Sequence, residues 1–321
     1  MTRTPDAIHL DLDSHALRVV RAVADHGTIT GAAAALGYSQ PAISQHLKRL
    51  EARIGMPVVS RVGRGVALTE AGRVLARHAS TVTTALDAAA GELADLSGLR
   101  SGRVRLAAFP SASSTIVPRL LRTMAGTHPG VRITYTEAEP PEAVQSVRSQ
   151  SADLAITFSY PGDRVDPHRE SARGLVVVPV WYDEMVIALP AGHPLAAEAT
   201  VDLASLADEP WIAGCPRCRG HLLELTDERD FSPRIAYETD NFIAVLSMVA
   251  ERVGVALLPS LAVASAGVHP GVVIRPTSNR DHRTVNLVGA TGADQVPAIA
   301  AVAEVLLKLD ASEWMLTPAD R

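Results

Sequence analysis

TITGAAAALGYSQPAISQHLKRLEARIGMPVVSRVGRGVAL, which spans residues 28–68, predicts two helices joined by a tight turn and followed by a hairpin. Ser39 is a favourable N-cap, and Pro41 is tolerated in a first helical turn because its missing N–H would be unpaired there. Apolar residues then recur every three or four positions, which places them on one face of a helix over residues 40–53. A face that packs inward is therefore predicted, formed by Ile43, Leu47, Leu50 and Ile54.

The opposite face of this predicted helix is short and polar, with positive charge toward its end. Ser and Gln offer donors and acceptors to base edges in the major groove, and Lys and Arg neutralise phosphates. Taken alone, the window also fits an amphipathic helix whose polar face is only solvated. The candidate DNA-contacting residues here are Thr30, Ser39, Gln40, Pro41, Ser44, Gln45, Lys48 and Arg49.

The neighbouring segments favour DNA binding. Ala32, Ala33 and Leu36 predict a short preceding helix that ends at Gly37, which gives the turn of a helix-turn-helix. Downstream, two short extended runs around a glycine-containing turn predict a wing that carries Arg61 and Arg64. Between residues 14 and 80, nine Lys and Arg face three acids, a local charge of about +6 that suits a phosphate backbone. We therefore expect a winged helix-turn-helix domain over residues 1–68.

A proline-free, alanine- and leucine-rich segment over residues 69–98 predicts one long linker helix. Its apolar residues alternate steps of four and three, the heptad spacing of a seam for a partner helix. The seam consists of Leu75, Ala79, Val82, Leu86, Ala89, Leu93 and Leu96. We expect dimerisation along it, because a two-fold dimer presents two recognition helices to two half-sites. Packing of the helix onto its own domain is the alternative.

Charge, hydropathy and cysteine content limit the partners and the location that the chain can have. The whole chain of 321 residues has a net charge of −5, so nucleic-acid contact is confined to the basic N-terminal part. We expect no export leader, because the first 13 residues carry Asp6, Asp11 and Asp13. No apolar run approaches the 18 or so residues that span a bilayer, which predicts no membrane partner and a cytoplasmic location. Only two cysteines, both within four residues, argue against a secreted disulfide scaffold.

These motifs carry a family resemblance. The run AAAALGYSQPAISQHLKRLE and the wing ending RGVALTEAGRVL resemble the winged helix-turn-helix of LysR-type transcriptional regulators. Later phrases, ALPAGHPLA and GVALLPSLA, are similar to that family's effector domain. The resemblance implies homotetramers built from dimers, two-part operators with dyad symmetry on double-stranded DNA, and DNA contacts that change when a small-molecule effector binds.

The C-terminal part, residues 101–321, alternates strands and helices and predicts an α/β fold. Strands at 104–108, 132–136 and 154–158 alternate with helices at 115–127 and 141–150, a βαβαβ order typical of parallel sheets. A second set is predicted from residue 176. It comprises strands at 185–189, 211–212, 234–238, 255–258 and 272–274, helices at 203–206, 222–228 and 241–251, and a last helix at 296–309.

This pattern indicates a two-lobed, periplasmic-binding-protein-like effector domain. Lobe I is predicted over about 101–177 and 274–321, and lobe II over about 178–273. In such folds a ligand binds between the lobes, where closure is driven by contacts to both halves.

A hydroxyl-rich segment between a strand and a helix is the candidate wall of the ligand cleft. Helix N-termini leave N–H groups unpaired, so a carboxylate or other anion is favoured there. Plain N-capping by one hydroxyl is the alternative. No cofactor is predicted. The candidate effector-binding residues are Ser111, Ser113, Ser114 and Thr115, then Thr157 and Phe158 of the same lobe, and Gly214, Cys215 and Asn241 of the second lobe.

Cys215 and Cys218 form a C-x-x-C pair, which most members of the resembled family lack. Arg217 and Arg219 would lower the pKa values of the thiols, so a redox-responsive regulator is the alternative function. The alternative interpretation is that both cysteines are structural residues that line the cleft. A metal site would combine them with His221 and a distant fourth ligand such as His193, but no second C-x-x-C supports it, and no metal is predicted.

Other protein classes fit less of the chain. A thiol oxidoreductase would explain the two cysteines but not the winged domain, and a solute-binding protein would need an export signal. The chain has no G-x-S-x-G, no H-E-x-x-H and no glycine-rich phosphate loop, so it is not expected to be an enzyme.

Overall fold

The N-terminal domain packs three helices around one apolar core. The computed structural model describes residues 12–62, 65–96, 102–162, 174–267 and 269–319. Ser39 Oγ accepts from the N–H of Ala42 over 3.4 Å at the start of the third helix, as its sequence predicts. The predicted inward face is confirmed, since all four of its residues are at most 7 % exposed. The helices are α1 (Ser14–His26), α2 (Ile29–Leu36) and α3 (Gln40–Ile54).

The wing is an antiparallel hairpin fastened to α3. Its strands are β1 (Val59–Val62) and β2 (Gly65–Leu68), with Val62 opposite Gly65. Glu51 Oε1 accepts from the N–H of Val58 over 2.9 Å, so a side chain of α3 holds the entry to the hairpin. The hairpin turn, and with it the predicted contact residue Arg64, lies outside the described residues.

The predicted seam of the linker helix α4 (Glu70–Leu96) is buried in its first part and exposed in its second. Leu75 and Ala79 are buried in the core of the N-terminal domain, which is the alternative that the sequence left open. Leu86 and Leu93 are 52 % and 64 % exposed in the single chain. Only the second part of the seam is therefore available to a partner.

The main sheet of the C-terminal domain is mixed. Its strands are, in spatial order, β10 (Val272–Pro276), β6 (Leu175–Pro190), β11 (His282–Ala290), β5 (Leu154–Ser159), β3 (Gly102–Ala108) and β4 (Val131–Glu137). Strand β3 pairs in parallel with both β4 and β5, which confirms the predicted βαβαβ unit. The elements of this unit are β3 (Gly102–Ala108), a short α5 (Pro110–Ser113), α6 (Ile116–Thr127), β4 (Val131–Glu137), α7 (Pro140–Arg148) and β5 (Leu154–Ser159).

Strand β6 (Leu175–Pro190) is longer than the strand predicted over residues 185–189 and begins where the second set was expected to start. Asp183 and Glu184 interrupt the apolar pattern, but Asp183 is fully buried because it has a charged partner across the sheet. The first part of β6 pairs with β11 and with β12 (Leu316–Pro318), whereas Met185 to Pro190 pair with β9 (Ala256–Pro259) and β10. One strand therefore runs through both parts of the domain.

The sequence patterns missed several elements, the short helix α5 among them, and placed the start of α8 (Pro216–Asp227) too late. Strand β11 (His282–Ala290), helix α10 (Ser260–Ala266) and strand β12 (Leu316–Pro318) were not predicted. Helix α8 (Pro216–Asp227) begins well before residue 222, because Cys215 supplies its N-cap. The other elements are β7 (Pro210–Ala213), β8 (Arg234–Glu238), α9 (Phe242–Ala250), β9 (Ala256–Pro259), β10 (Val272–Pro276) and α11 (Pro297–Leu307).

Candidate DNA interface and effector cleft

The polar face of α3 is open to solvent. Gln40, Pro41, Gln45, Lys48 and Arg49 are exposed, and so are Ser39 and Thr30 near the turn. Ser44 is half-buried, and its Oγ accepts from Gln40 Nε2 over 3.0 Å. Two of the candidate DNA-contacting side chains therefore bond each other on the free surface of the helix.

Positive charge surrounds this face without being neutralised by the protein. In the part of the chain that the structure describes, Lys48, Arg49 and Arg61 form no ion pair, whereas Arg53 pairs with Asp13 over 2.8 Å. Arg61 is exposed on β1. The face thus offers uncompensated cations, which is what phosphate contacts require.

A narrow cleft opens between α5, the end of β5 and the start of α8. Three of the predicted effector residues, Ser111, Phe158 and Cys215, line it together. The remaining candidates are not among the lining residues, and they stay predictions. The full lining is Phe109, Pro110, Ser111, Glu139, Phe158, Cys215, Cys218, Asp240, Phe242 and Arg283.

Three of the four predicted hydroxyls are used by the local backbone. Ser113 Oγ donates to the carbonyl of Phe109 over 2.9 Å, Ser114 Oγ to that of Pro110 over 3.1 Å, and Thr115 Oγ1 to that of Ser111 over 2.6 Å. The hydroxyls thus act within the turns around α5 and α6 and not as helix N-caps. Asn241 is the N-cap of α9, with Oδ1 accepting from two backbone N–H groups.

Arg283 of β11 organises the cleft. Its Nε donates to Asp183 Oδ2 over 2.8 Å, and its Nη2 donates to Ser111 Oγ over 3.0 Å. The guanidinium lies 4.3 Å from the ring centroid of Phe158 and 4.9 Å from that of Phe109. Arg283 is 2 % exposed and Asp183 is fully buried, so the ion pair is part of the interior. Cation–π contacts and the ion pair together fix the guanidinium at the bottom of the cleft.

The two cysteines lie beside this guanidinium with their Sγ atoms 2.7 Å apart. Both are free thiols, and the N–H of Cys218 donates to Cys215 Sγ over 3.4 Å. The hydrogen bond from Cys215 lowers the pKa of the Cys218 thiol; burial opposes this and the charge of Arg283 adds to it. The same hydrogen bond, together with burial, raises the pKa of Cys215. The pKa of the Cys218 thiol therefore lies below that of the Cys215 thiol.

Arg217 and Arg219 were expected to lower the pKa values of the thiols, but their guanidinium groups have other partners. Arg219 pairs with Glu238 over 2.9 Å, and the Arg217 guanidinium lies 5.5 Å from the Phe158 ring centroid. The cation that lowers the pKa of Cys218 is instead Arg283, 65 residues further along the chain. His221 stacks on Tyr160 with ring centroids 3.8 Å apart. In the described ranges no three His, Cys, Asp or Glu side chains are grouped to hold a metal ion.

Sequence patterns missed Glu139, Phe242 and Arg283 as cleft residues. Burial raises the pKa of the Glu139 carboxyl from its ordinary value, and within the described residues its Oε2 has no hydrogen-bond partner. Arg283 directly precedes TVNLVGA, a run with the β-branched and apolar residues of a strand, and a charged residue inside such a strand indicates a buried partner. That signal could have identified it.

Two family models match this chain. Residues 14–73 match the bacterial regulatory helix-turn-helix protein, lysR family, and residues 97–311 match the LysR substrate binding domain. The chain belongs to the LysR family. It is therefore a DNA-binding transcriptional regulator that responds to a ligand. No described helix is both long enough and apolar enough to cross a membrane.

Several relatives of this LysR-family regulator are known. A probable hydrogen peroxide-inducible genes activator from Mycobacterium avium is 30 % identical over 298 residues, covering 86 % of this chain and 92 % of the relative. The RuBisCO operon transcriptional regulator of Allochromatium vinosum is 32 % identical over 218 residues, covering 68 % of each chain. A full-length OxyR variant from Pseudomonas aeruginosa shares the fold with a TM-score of 0.69 at 21 % identity, over 98 % of this chain and 100 % of that one.

Proposed function

We propose that this LysR-family regulator reads DNA with α3 and the wing and binds its effector in the cleft at Ser111, Phe158 and Cys215. The cleft carries this proposal, because it joins residues from segments about 50 residues apart around one buried cation. Ser44 and Gln45 are assigned to base edges, and Lys48, Arg49, Arg61 and Arg64 to phosphates.

The lining of the cleft indicates the kind of ligand. Ser111 Oγ accepts from Arg283, which leaves its own proton free to donate. Glu139 Oε2 has no hydrogen-bond partner among the described residues, so it can accept. A ligand that bonds both groups needs an acceptor and a donor, and a small carboxylate with a hydroxyl or amine satisfies this.

The regulator is proposed to act as a homodimer, or as a tetramer built from dimers, on dyad operators in the cytoplasm. The exposed leucines of α4 support this, because Leu86 and Leu93 continue the heptad seam beyond the core of the N-terminal domain. A dimer along this seam places two copies of α3 on the same side of a duplex.

Binding of the full chain to the DNA upstream of its own gene tests the proposal. Fluorescence anisotropy should show tighter binding to this DNA than to a shuffled duplex at every salt concentration. A thermal-shift screen of small hydroxy and amino acids should then find compounds that raise the melting temperature. Ser111→Ala should lose that shift and keep DNA binding, whereas Ser278→Ala, an exposed serine on a distant turn, should keep both. A shift that Ser111→Ala retains in full would place the ligand elsewhere.

A further inference from the structure

The N-terminal domain contacts the C-terminal domain of its own chain at the end of α7. Arg21 of α1 donates through Nη2 to the carbonyl oxygen of Arg148, the last residue of α7. Its Nε donates to Asp25 Oδ2 over 3.1 Å, so an ion pair on α1 orients the guanidinium toward that carbonyl. Burial raises the pKa of the Asp25 carboxyl although Arg21 pairs with it, which indicates that the contact excludes water.

The turn after α7 makes a second contact, with the linker helix. Gln150 Nε2 donates to the carbonyl oxygen of Ser80 on α4 over 3.2 Å. Gln150 has a φ of 59°, a left-handed conformation that residues other than glycine rarely adopt and that raises the energy of the backbone. Arg105 of β3 donates to the carbonyl oxygen of Gln150, so the sheet holds the turn in this conformation. A strained residue therefore joins the two domains.

One side of α4 extends this contact along the helix. Ser80, Thr84 and Ala88 follow one another at steps of four and are all buried, which places them on the same side. A Cβ on Gly292 would lie 3.9 Å from Thr84 Cγ2, next to the 3-10 turn Ala293–Gln295. This side of α4 is therefore covered by the C-terminal domain.

The exposed leucines lie on the other side of α4. With about 3.6 residues per turn, Leu86 and Leu93 fall roughly 180° around the helix from Thr84. A second copy of the chain can pack against these leucines while the buried side stays docked on its own C-terminal domain. Docking within one chain and pairing of two chains thus use different sides of the helix.

The N-terminal domain and α4 share one apolar core, so residues 12–62 and 65–96 are called the DNA-reading unit. We propose that Arg21 and Gln150 latch the DNA-reading unit onto the C-terminal domain of the same chain, and that this latch sets the separation of two operator parts that a tetramer accepts. The second half rests on the assembly and the DNA contacts proposed above. In such a tetramer the C-terminal domains join one pair of units to the other, because each pair is already held together along α4.

Amide hydrogen exchange of the full chain without DNA tests the latch, so its outcome is independent of the function proposed above. The latch variant combines Arg21→Leu, which removes the donor, with Gln150→Gly, which removes the side chain and retains the left-handed backbone. Exchange should become several-fold faster over residues 78–90 and 144–151, which meet at the contact. Exchange in α3 should be unchanged, because α3 lies outside it.

The control variant combines Arg18→Leu with Asp230→Gly. Arg18 is exposed on the same helix as Arg21, and Asp230 has a left-handed φ of 57° in the turn that follows α8. This variant should exchange as the wild type does. A latch variant with wild-type exchange in both segments would overturn the latch. Faster exchange in α3 as well would show that the N-terminal domain itself is destabilised, and would also count against it.

Operator spacing tests the second half of the proposal. Footprinting on the DNA upstream of the chain's own gene identifies the two protected parts, and base pairs are then inserted between them one at a time. Wild-type affinity should fall as the parts rotate apart and recover after about 10 base pairs, one helical turn. The latch variant should bind all these duplexes with nearly equal affinity, because its two pairs of units are no longer held at one distance.

Affinity of the latch variant for a single operator part should match that of the wild type, because neither Arg21 nor Gln150 lies on the exposed face of α3. A wild-type protein that binds none of the duplexes would contradict the proposed function, whereas the exchange experiment still decides the latch. A latch variant that keeps the wild-type dependence on spacing would refute the role of the latch in operator choice.

Discussion

Asp183 and Arg283 stand directly opposite each other on β6 and β11, and the Nε of Arg283 donates to Oδ2 of Asp183 over 2.8 Å. The other carboxylate oxygen, Oδ1, accepts from Ser260 Oγ and from the N–H of Leu261 over 2.7 and 3.0 Å. One buried carboxylate therefore joins the cleft cation to the start of α10.

Replacing Asp183 should lower the free energy of unfolding substantially. Asp183→Asn leaves the Arg283 charge buried without compensation, and we expect a loss of about 3–5 kcal/mol in the free energy of unfolding. Urea unfolding followed by circular dichroism measures it. The control is Glu304→Gln, which removes an exposed pair with Lys308 and should leave the midpoint unchanged. Equal midpoints for both variants would contradict a structural role for the buried pair.

Gly72 is required by the close approach of α4 to the wing. A Cβ on Gly72 would lie 2.1 Å from the carbonyl oxygen of Val58, which already accepts from the N–H of Thr69. Gly72→Ala should therefore destabilise the N-terminal domain by about 1–3 kcal/mol or more. Gly126→Ala is the matched control, because its Cβ meets nothing within 4 Å and a helical alanine should stabilise by about 0.5–1 kcal/mol. Thermal unfolding of each variant distinguishes the two, and an unchanged Gly72→Ala protein would show that the backbone can move there.

Phosphate contacts should appear in the salt dependence of DNA binding. Lys48→Ala and Arg61→Ala should each weaken binding to all sequences and reduce the slope of log K against log salt by about one unit. Arg64→Ala is predicted to do the same. Arg132→Ala, an exposed arginine on β4, should leave the slope unaltered. A residue whose replacement does not change the slope is removed from the interface.

The leucines on the second part of α4 should hold two copies of the chain together. Replacing Leu86 and Leu93 by Glu introduces charge into the proposed seam, and the chain should sediment as smaller species with weaker DNA binding. Met315→Glu is the control, since Met315 is 52 % exposed, as Leu86 is, but lies far along the chain. Unchanged sedimentation of the double variant would assign association to another surface.

Glu139 should make stability depend on pH in mildly acidic solution. Burial raises its pKa above the ordinary value of 4.5, so the folded state holds this proton more tightly than the unfolded state does. The resulting stabilisation is present below pH 4.5 and is lost as pH rises through the raised pKa. Relative to wild type, Glu139→Gln should therefore gain stability as pH increases from about 4.5 to 7.

Urea midpoints across this pH range measure the difference between the two proteins. Glu228→Gln, an exposed glutamate at the end of α8, should follow the wild-type curve throughout. A difference between Glu139→Gln and wild type that does not vary with pH would show that the carboxyl titrates normally.

The N-terminal domain was predicted almost completely because its signals are local. Helix α3 begins where Ser39 caps it and buries the residues its periodicity selects, and Gly37 and Gly55 end helices in left-handed conformations at φ 70° and 73°. Caps, glycines and a 3.6-residue period act within a few residues of each other, so the sequence alone carries them.

The cleft needed the tertiary structure, because its chemistry comes from distant pairings. The sequence identified Ser111, Phe158 and the two cysteines, but it assigned the thiol-activating charge to the adjacent Arg217 and Arg219. Only the pairing of β11 with β5 and β6 brings Arg283 to Cys218 and buries Asp183 beside it. A buried ion pair is stable only with both partners in place, and their contact across 100 residues is set by the sheet and not by any local pattern.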